Sequence, residues 1–521
     1  MRFFNTAGPI KPQLNYHIPP LERLNQEAIF ELVEQERYFV LHAPRQTGKT
    51  SVLHTLRDKF NSSKQYCAVY VNVEEAQMAR DDVSAAMKSI LSFLARESIN
   101  VLDDSFVHEN WEHVLDSVGP LSALREVLAS WCKFVRNPLI LMLDEIDSLI
   151  GDTLISVLRQ LRAGYPDRPT KFPQCVILCG VRDVRDYRIH SSNHGEIITG
   201  GSAFNIKVES LRLGDFSETQ SHRLLLQHTE ESGQQWSEGA LQGIWTSTMG
   251  QPWLVNALAR ETLKIVKDLD EEISHEHVAE ATEILIRRRD THLDQLTDKL
   301  LEERVKRVIE PLVSNGDVKS EMKADDVKYV RDLGLIAPDP PIRVANPIYR
   351  EAIPRELIKN TDEFISVEPA WYVREGRLIM VKLMESFQEF YRENSEHWVK
   401  RYDYQEAGAQ LLLMAFLQRI VNSGGRIQRE YGLGHMRTDL LITFGEGGNQ
   451  QKEVVECKLR RNGLNRTIKE GVKQLTEYME RCGVDEGHLV IFDRSKTRSW
   501  KEKIFKSKKI VDSRIVKIWG M

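Results

Sequence analysis

Two groups of residues in this chain have the types and spacing for chemistry on phosphates. The first begins at Ala43-Pro44-Arg45-Gln46-Thr47-Gly48-Lys49-Thr50, followed by Ser51. Gly48 lets backbone N–H groups approach a phosphate closely, and a helix starting there turns its positive end toward the anion. Lys49 would bring an ammonium to the terminal phosphates, and Thr50 a hydroxyl to a magnesium ion. Further on, the apolar run Leu139 to Leu143 ends in Asp144 and Glu145. Asp144 has the chemistry to hold magnesium, and Glu145 to orient and deprotonate an attacking water. The second group lies near the C-terminus. Asp439 opens an apolar segment running to Phe444, and Glu456-Cys457-Lys458 closes another. Glu456 and Lys458 are two residues apart, so on a strand they share a face. One carboxylate from each segment suits a hard divalent cation. Such a cation polarises a phosphodiester and activates bound water, with Lys458 placed to steer that water or offset developing charge.

The elements that must hold these residues are legible as hydrophobic runs. Tyr38 to His42, Ala68 to Val73, Leu139 to Leu143 and Cys175 to Gly180 read as buried parallel strands. Amphipathic stretches lie between them, including Ser51 to Phe60 and Pro120 to Val135. This alternation predicts an α/β fold with a parallel sheet covered on both faces. In such a sheet the carboxyl end of the 139–143 strand faces the crevice that holds the Gly48 loop. From about Ser217 to Arg307 the pattern is helical. Arg304 to Ile353 reads as a small helical module closed by a hairpin, punctuated by Gly334, Pro338, Pro340 and Pro341. Asn360 to Glu368 is polar and reads as a linker. Beyond it the pattern predicts a helix ending near Ser395, another over Asp403 to Val421, and strands over Thr438 to Phe444 and Glu453 to Leu459 joined by the turn Gly445 to Gly448.

Composition bounds the rest. At 521 residues the chain is too long for one ordinary core. A hydrophobic fraction of 41% with 28% charged residues fits a soluble globular protein. No apolar run approaches the roughly 20 residues that cross a bilayer, and Met1 to Asn15 has no secretory pattern. The six cysteines form no C-x-x-C pair, which argues against a zinc ribbon and fits a reducing, cytoplasmic setting. The net charge is −5, yet from Gln451 onward there are 18 Lys and Arg against 10 Asp and Glu. That local excess fits either a nucleic-acid surface or a solvated helical face.

The 43–50 segment matches the P-loop pattern except that Ala43 stands at the first glycine. With Leu143-Asp144-Glu145-Ile146-Asp147 it resembles the AAA+ ATPases and their signalling relatives. That resemblance implies ATP and magnesium (Mg2+) as cofactors, bound by residues 43 to 51 and Asp144. Cys175 to Gly180 would be the strand preceding a phosphate sensor, with Arg182 and Asp183 as candidates. Arg182, Arg185 and Arg188 are candidates for an arginine reaching a neighbour's nucleotide. Gly250 to Arg260 resembles the family's lid helix, where Asn256 or Arg260 would either face nucleotide or pack the lid. Asp326 to Ile336 with Ile342 to Tyr349 resembles a winged helix, an element that contacts DNA or packs and regulates.

The C-terminal group resembles the PD-(D/E)XK nuclease superfamily. Glu406 falls where many members carry an additional acid, Arg437-Thr438 precedes Asp439 in the expected way, and Gln474-x-x-x-Tyr478 fits the motif of the RecB-like branch. The resemblance implies catalysis by Asp439, Glu456, Lys458 and Gln474, with metal held by Glu406, Asp439 and Glu456. Arg460, Arg461, Arg466, Lys469 and Lys473 would contact phosphates. Trp500 and Trp519 would stack on bases or pack. The expected domains are an ATPase core over 1–215, a lid over 216–300, a winged helix over 301–360 and a separate nuclease-like α/β domain over 370–521. The expected function is an ATP-regulated DNA endonuclease of prokaryotic defence or mobile elements, with DNA favoured over RNA. A homo-oligomer and a phage or protein trigger are further expected partners. The alternative is an ATP-driven switch whose nuclease-like domain only binds nucleic acid or stays silent until triggered.

Overall fold

The computed structural model describes residues 2–183, 188–190, 197–199, 207–288, 299–300, 302–313, 322–353, 372–374, 377–401, 413, 416–417, 425–433, 436–445, 450–460, 463–493, 495 and 497–521. The chain divides into two compact units, one of residues Met1–His292 with Val327–Ile348, the other of Leu293–Asp326 with Tyr349–Met521.

The first unit is built on five parallel strands: β1 (Tyr38–His42), β2 (Cys67–Asn72), β3 (Leu139–Asp144), β4 (Cys175–Gly180) and β5 (Lys207–Arg212). Their order across the sheet is β2-β3-β4-β1-β5. Alternate strand residues serve two cores. Val40, Val69, Leu141 and Leu178 face a core shared with α3 (Val83–Leu102), α4 (Phe106–Val118), α5 (Ala123–Phe134) and α6 (Gly151–Gly164). Leu41, Tyr70, Met142 and Ile177 face a second core with α1 (Gln26–Glu34) and α2 (Lys49–Ser62). Covering both faces explains why these strands read as continuous apolar runs. Truncating Leu141 to alanine at the centre of this sheet would cost about 3 kcal/mol.

Four helices follow the sheet: α7 (Glu218–Ser232), α8 (Glu238–Thr248), α9 (Pro252–Ile265) and α10 (His275–Arg288). Their ends are set locally. Ser217 and Gln220 form a capping box at the start of α7, and Gly233 ends it in the left-handed region. Pro252 occupies the first turn of α9, and the Gln251 side chain accepts from the Leu254 amide. Of the expected winged helix, the structure describes a helix over Glu303–Val313, which falls in the second unit, and α11 (Ala324–Asp332), whose residues from Val327 belong to this one. A single bridge between Ile336 and Val344 closes it, flanked by Ala337 N–H to Arg343 O and Ala345 N–H to Leu335 O.

The second unit carries a six-stranded mixed sheet. Its elements in chain order are α12 (Met380–Arg401), β6 (Gly425–Leu433), β7 (Met436–Phe444), β8 (Gln451–Leu459), α13 (Leu464–Cys482), β9 (Glu486–Phe492), β10 (Phe505–Val511) and β11 (Arg514–Gly520). The sheet order is β6-β7-β8-β9-β11-β10. β6, β7 and β8 form an antiparallel meander, and β9 lies parallel to β8 after the α13 crossover. One face packs Leu440, Val455 and Val490 against α12, and the other packs Leu441, Val454 and Leu489 against α13. Helix α12 runs past the expected end at Ser395 to Arg401, because the intervening residues include no glycine or proline to stop it. Most of the expected helix over Asp403 to Val421 lies outside the described residues.

Candidate functional site

Strand β1 delivers the chain to Ala43, and α2 takes it away from Lys49. The six residues between must turn tightly around an anion. Gly48 makes this turn at φ +90° and Gln46 at φ +58°. Lys49 is buried, and its Nζ donates to the carbonyls of Ala43 and Pro44, both at 3.1 Å. Thr47 Oγ1 donates to Pro44 O at 2.8 Å. Arg23 holds the loop from outside, donating from Nη1 to Thr47 O at 2.5 Å and from Nε to Gly214 O at 3.0 Å. Ser51 Oγ accepts from the Ile10 amide at 3.1 Å, so the N-terminal segment reaches the first turn of α2. Arg45 is part of the same loop, and no contact fixes its side chain among the described residues. Neither Arg23 nor Ile10 belongs to the loop motif. Their roles depend on tertiary contacts across at least 24 residues, and no local signal marks them.

The acids stand at the carboxyl end of β3. Asp144 is completely buried and is the last strand residue, one beyond the expected end at Leu143. Its Oδ2 accepts from Thr50 Oγ1 at 2.8 Å and from the Tyr70 hydroxyl at 3.0 Å, and its Oδ1 accepts from the Glu145 amide at 2.9 Å. Burial and the Asp144 charge push the Tyr70 phenol far above its ordinary range, so it stays a donor. A hydroxyl and a carboxylate converging in this way form an oxygen donor set that fits magnesium. Glu145 adopts the left-handed conformation at φ +57°. Burial raises its carboxyl, and the charge of Lys49 works against that rise. A carboxyl raised this way and placed beside the phosphate loop suits a general base.

Strand β4 lies between the loop strand and the acid strand. Its end is fixed by Asp147, whose Oδ1 accepts from the Val181 amide at 3.0 Å. A side chain at Gly180 would meet that oxygen at 2.3 Å and force the Asp147 carboxylate to move. Of the sensor candidates, Asp183 is buried. The Arg182 guanidinium lies 4.6 Å from the Tyr329 ring centre and 4.0 Å from Asp332, both on α11. Arg185 lies outside the described residues, and Arg188 is described by its backbone alone. Arg260 donates to Thr6 Oγ1 at 2.8 Å, and Asn256 donates to Pro252 O within α9. These contacts fit the lid-packing alternative for both.

In the second unit, Glu456 sits on β8 with its side chain almost wholly buried and accepts from Lys458 Nζ at 2.7 Å. The β7–β8 register pairs Leu440 with Val455, so the backbone of Asp439 lies at the same end of the hairpin as Glu456. The side chain of Asp439 and all of Glu406 lie outside the described residues. On α13, Gln474 Nε2 donates to the Tyr478 hydroxyl at 2.9 Å, and α13 packs on β8 and β9. Among the described residues no three His, Cys, Asp or Glu side chains cluster as a metal site. Arg466 pairs with Glu470 at 2.9 Å, while Lys469 and Lys473 are exposed on α13. Arg461 lies outside the described residues. Trp519 is buried and donates to His488 Nδ1 at 3.0 Å, and Trp500 packs edge-on against Tyr391. Packing is thus the observed role of Trp519, because its ring completes the core between the sheet and α12. The cysteines of the described chain are all free thiols, with Cys132, Cys175 and Cys179 buried.

A parallel sheet with this strand order, a glycine-capped loop entering a helix, and Thr50 paired with the buried Asp144 define a P-loop nucleotide-binding domain of the AAA-like ATPase class, whose nucleotide is ATP. Residues 16–339 match the AAA-like domain family, and the chain belongs to that family. Residues 379–496 match a second family, described as a domain of unknown function (DUF8371). No curated protein matches the chain. Similar solved structures include a Walker-type ATPase of Pyrococcus abyssi, at 13% identity and a TM-score of 0.47, covering 67% of this chain and 99% of that one. Cdc6p of Pyrobaculum aerophilum is similar at 15% identity and a TM-score of 0.36, covering 67% and 96%. The RuvB Holliday junction branch migration motor of Thermotoga maritima is similar at 12% identity and a TM-score of 0.33, covering 68% and 99%. No described helix is long and apolar enough to cross a membrane.

Proposed function

We propose that the protein is an ATP-hydrolysing regulator fused to a magnesium-dependent DNA endonuclease of the PD-(D/E)XK type, acting in prokaryotic defence or on mobile elements. Lys49 and the loop amides bind the ATP phosphates. Thr50 and Asp144 would hold magnesium, which neutralises phosphate charge when bound. Glu145 takes the proton of the attacking water. The observation that carries the nuclease reading is one of order and face. A helix, a three-stranded meander, a crossover helix and a parallel strand follow in turn. The pair of buried Glu456 with partly exposed Lys458 and the Gln474–Tyr478 pair belong to the strand and the crossover helix packed on it. Glu456 is a buried oxygen donor of the kind a hard cation takes, and Asp439 and Glu406 complete the proposed set. Lys458 positions water or offsets charge on the phosphodiester.

The test is plasmid cleavage by the full chain with magnesium, with and without ATP, beside Asp439→Ala. Cleavage by the native chain and none by the variant supports the reading, and the ATP dependence gives the direction of control. A second reading is an ATP-driven switch whose nuclease-like domain only binds nucleic acid or awaits a phage or protein trigger. Gly334 lies against the phosphate loop, where a side chain would come 2.7 Å from Pro44, a contact through which nucleotide could bias a switch under either reading. Nucleic-acid binding without cleavage under both conditions would select that reading.

A further inference from the structure

We propose that Arg460 and Arg498, both anchored on the buried carboxylate of Asp493, form a clamp for a DNA backbone phosphate beside the Glu456–Lys458 pair. The clamp rests on the reading of the second unit as a nucleic-acid-binding domain. Asp493 follows β9 directly, and its side chain is 4% exposed. Arg460 follows the parallel neighbour β8, and its amide continues the ladder by donating to Phe492 O at 3.0 Å. Arg460 Nη1 donates to Asp493 Oδ2 at 2.8 Å. Arg498 Nη1 donates to both Asp493 oxygens, at 3.1 and 2.8 Å. The Ser495 amide adds a further bond to Oδ1 at 3.0 Å.

Two guanidiniums share one carboxylate and neither gives up its proton in a protein, while the exposed Glu502 carboxylate, held low by hydrogen bonds from Ser499 and in part by both arginines, offsets some of the second charge. Each uses Nη1 on Asp493. Among the described residues, Nη2 of Arg460 and Nε and Nη2 of Arg498 make no hydrogen bond. Arg460 already gives this acid one arginine partner. A second one, with its side chain 39% exposed, gives a planar fork matched to phosphate and already held in place. The location agrees with the chemistry. Lys458 and Arg460 are two residues apart, about 7 Å along an extended chain. A phosphate at the clamp would therefore neighbour one at Lys458. Arg498 is followed by Lys501, Glu502 and Lys503 on the same connection, so the local balance stays positive by one lysine beside the arginines.

The test measures binding of a short labelled DNA duplex to the full chain in EDTA, where cleavage cannot intervene, across a salt series. Arg498→Ala should weaken binding about tenfold at low salt and make the slope of log affinity against log salt shallower by about one. Arg498→Lys keeps the charge but loses the fork, so it should restore the slope and only part of the affinity. Tight binding by the native chain with unchanged affinity and slope in Arg498→Ala would overturn the clamp and leave the nucleic-acid reading standing. Absence of binding by the native chain would overturn that reading and the clamp with it.

Discussion

The Thr50 hydroxyl donates to Asp144 Oδ2 across a gap of 2.8 Å, joining the first turn of α2 to the last residue of β3. The pair links loop to acid through the sheet, because β4 holds β1 and β3 at a fixed separation. Lys49 is a fixed cationic element of the loop, held on two loop carbonyls. Lys49→Ala and Asp144→Asn should each lower ATP hydrolysis at least 100-fold, the scale for losing one preorganised charge-stabilising group. A phosphate-release assay measures this, and isothermal titration with ATP separates binding from chemistry. Asp144→Asn should leave ATP binding measurable in EDTA and remove its enhancement by magnesium. Equal binding enhancement in the variant would show that the metal is held elsewhere.

Glu145 titrates above the ordinary carboxylate range because burial disfavours its charged form, more than the nearby Lys49 favours it. The proposed base works only when deprotonated. Hydrolysis should therefore be full above the raised pKa and fall as pH drops through it. The acid limb of kcat should lie above the value of about 4.3 for a free glutamate. Glu145→Gln should retain ATP binding and lose turnover. An acid limb that persists in Glu145→Gln at residual activity would assign the titration to another group.

Gly334 stands at φ +78°, and a side chain there would meet Pro44 Cβ and Cγ at 2.7 Å. Both the conformation and the contact demand glycine. Arg212 Nη2 donates to Arg331 O at 3.2 Å, and Arg182 reaches Tyr329, so three contacts join residues 327–348 to the nucleotide side of the sheet. Gly334→Val should cost more than about 1 kcal/mol, since a branched residue at positive φ adds strain to the clash. Differential scanning fluorimetry should show a lower melting temperature. The same variant should change the ATP dissociation constant by displacing Pro44. A lower melting temperature with unaltered ATP affinity would mean that the loop is indifferent to this segment.

Much of the first unit was legible because its strands are buried on both faces. Tyr38 to His42 and Cys175 to Gly180 are bounded as their apolar runs predict. β5 escaped because Lys207, Glu209 and Arg212 alternate charges through an edge strand. β10 escaped for the same reason, with three lysines on an exposed edge. The phosphate loop and its acids form short motifs, so their residues could be named in advance. Arg23 and Tyr70 could not, because each acts through partners far away in sequence, and Asp493 could not, because one of its two arginines, Arg460, lies 33 residues before it. Tyr70 differs from its strand neighbours only in the carboxylate it meets.

Lys458 and Glu456 face the same side of β8, one carboxylate oxygen 2.7 Å from the ammonium, with α13 packed over the strand. Isolated as a structural ion pair, they would serve stability alone. Lys458→Ala would then lower the melting temperature, because Glu456 would be left buried without its cation. Lys458→Arg would preserve a charge and largely restore it. As part of a nuclease site, both variants should abolish magnesium-dependent plasmid cleavage, since the ammonium position itself is used on the phosphodiester. ATP hydrolysis should persist in both, because its residues belong to the other unit. Cleavage by Lys458→Arg at the native rate would assign the pair to stability. Loss of ATP hydrolysis in a folded Lys458→Ala protein would replace two separate sites with one coupled site.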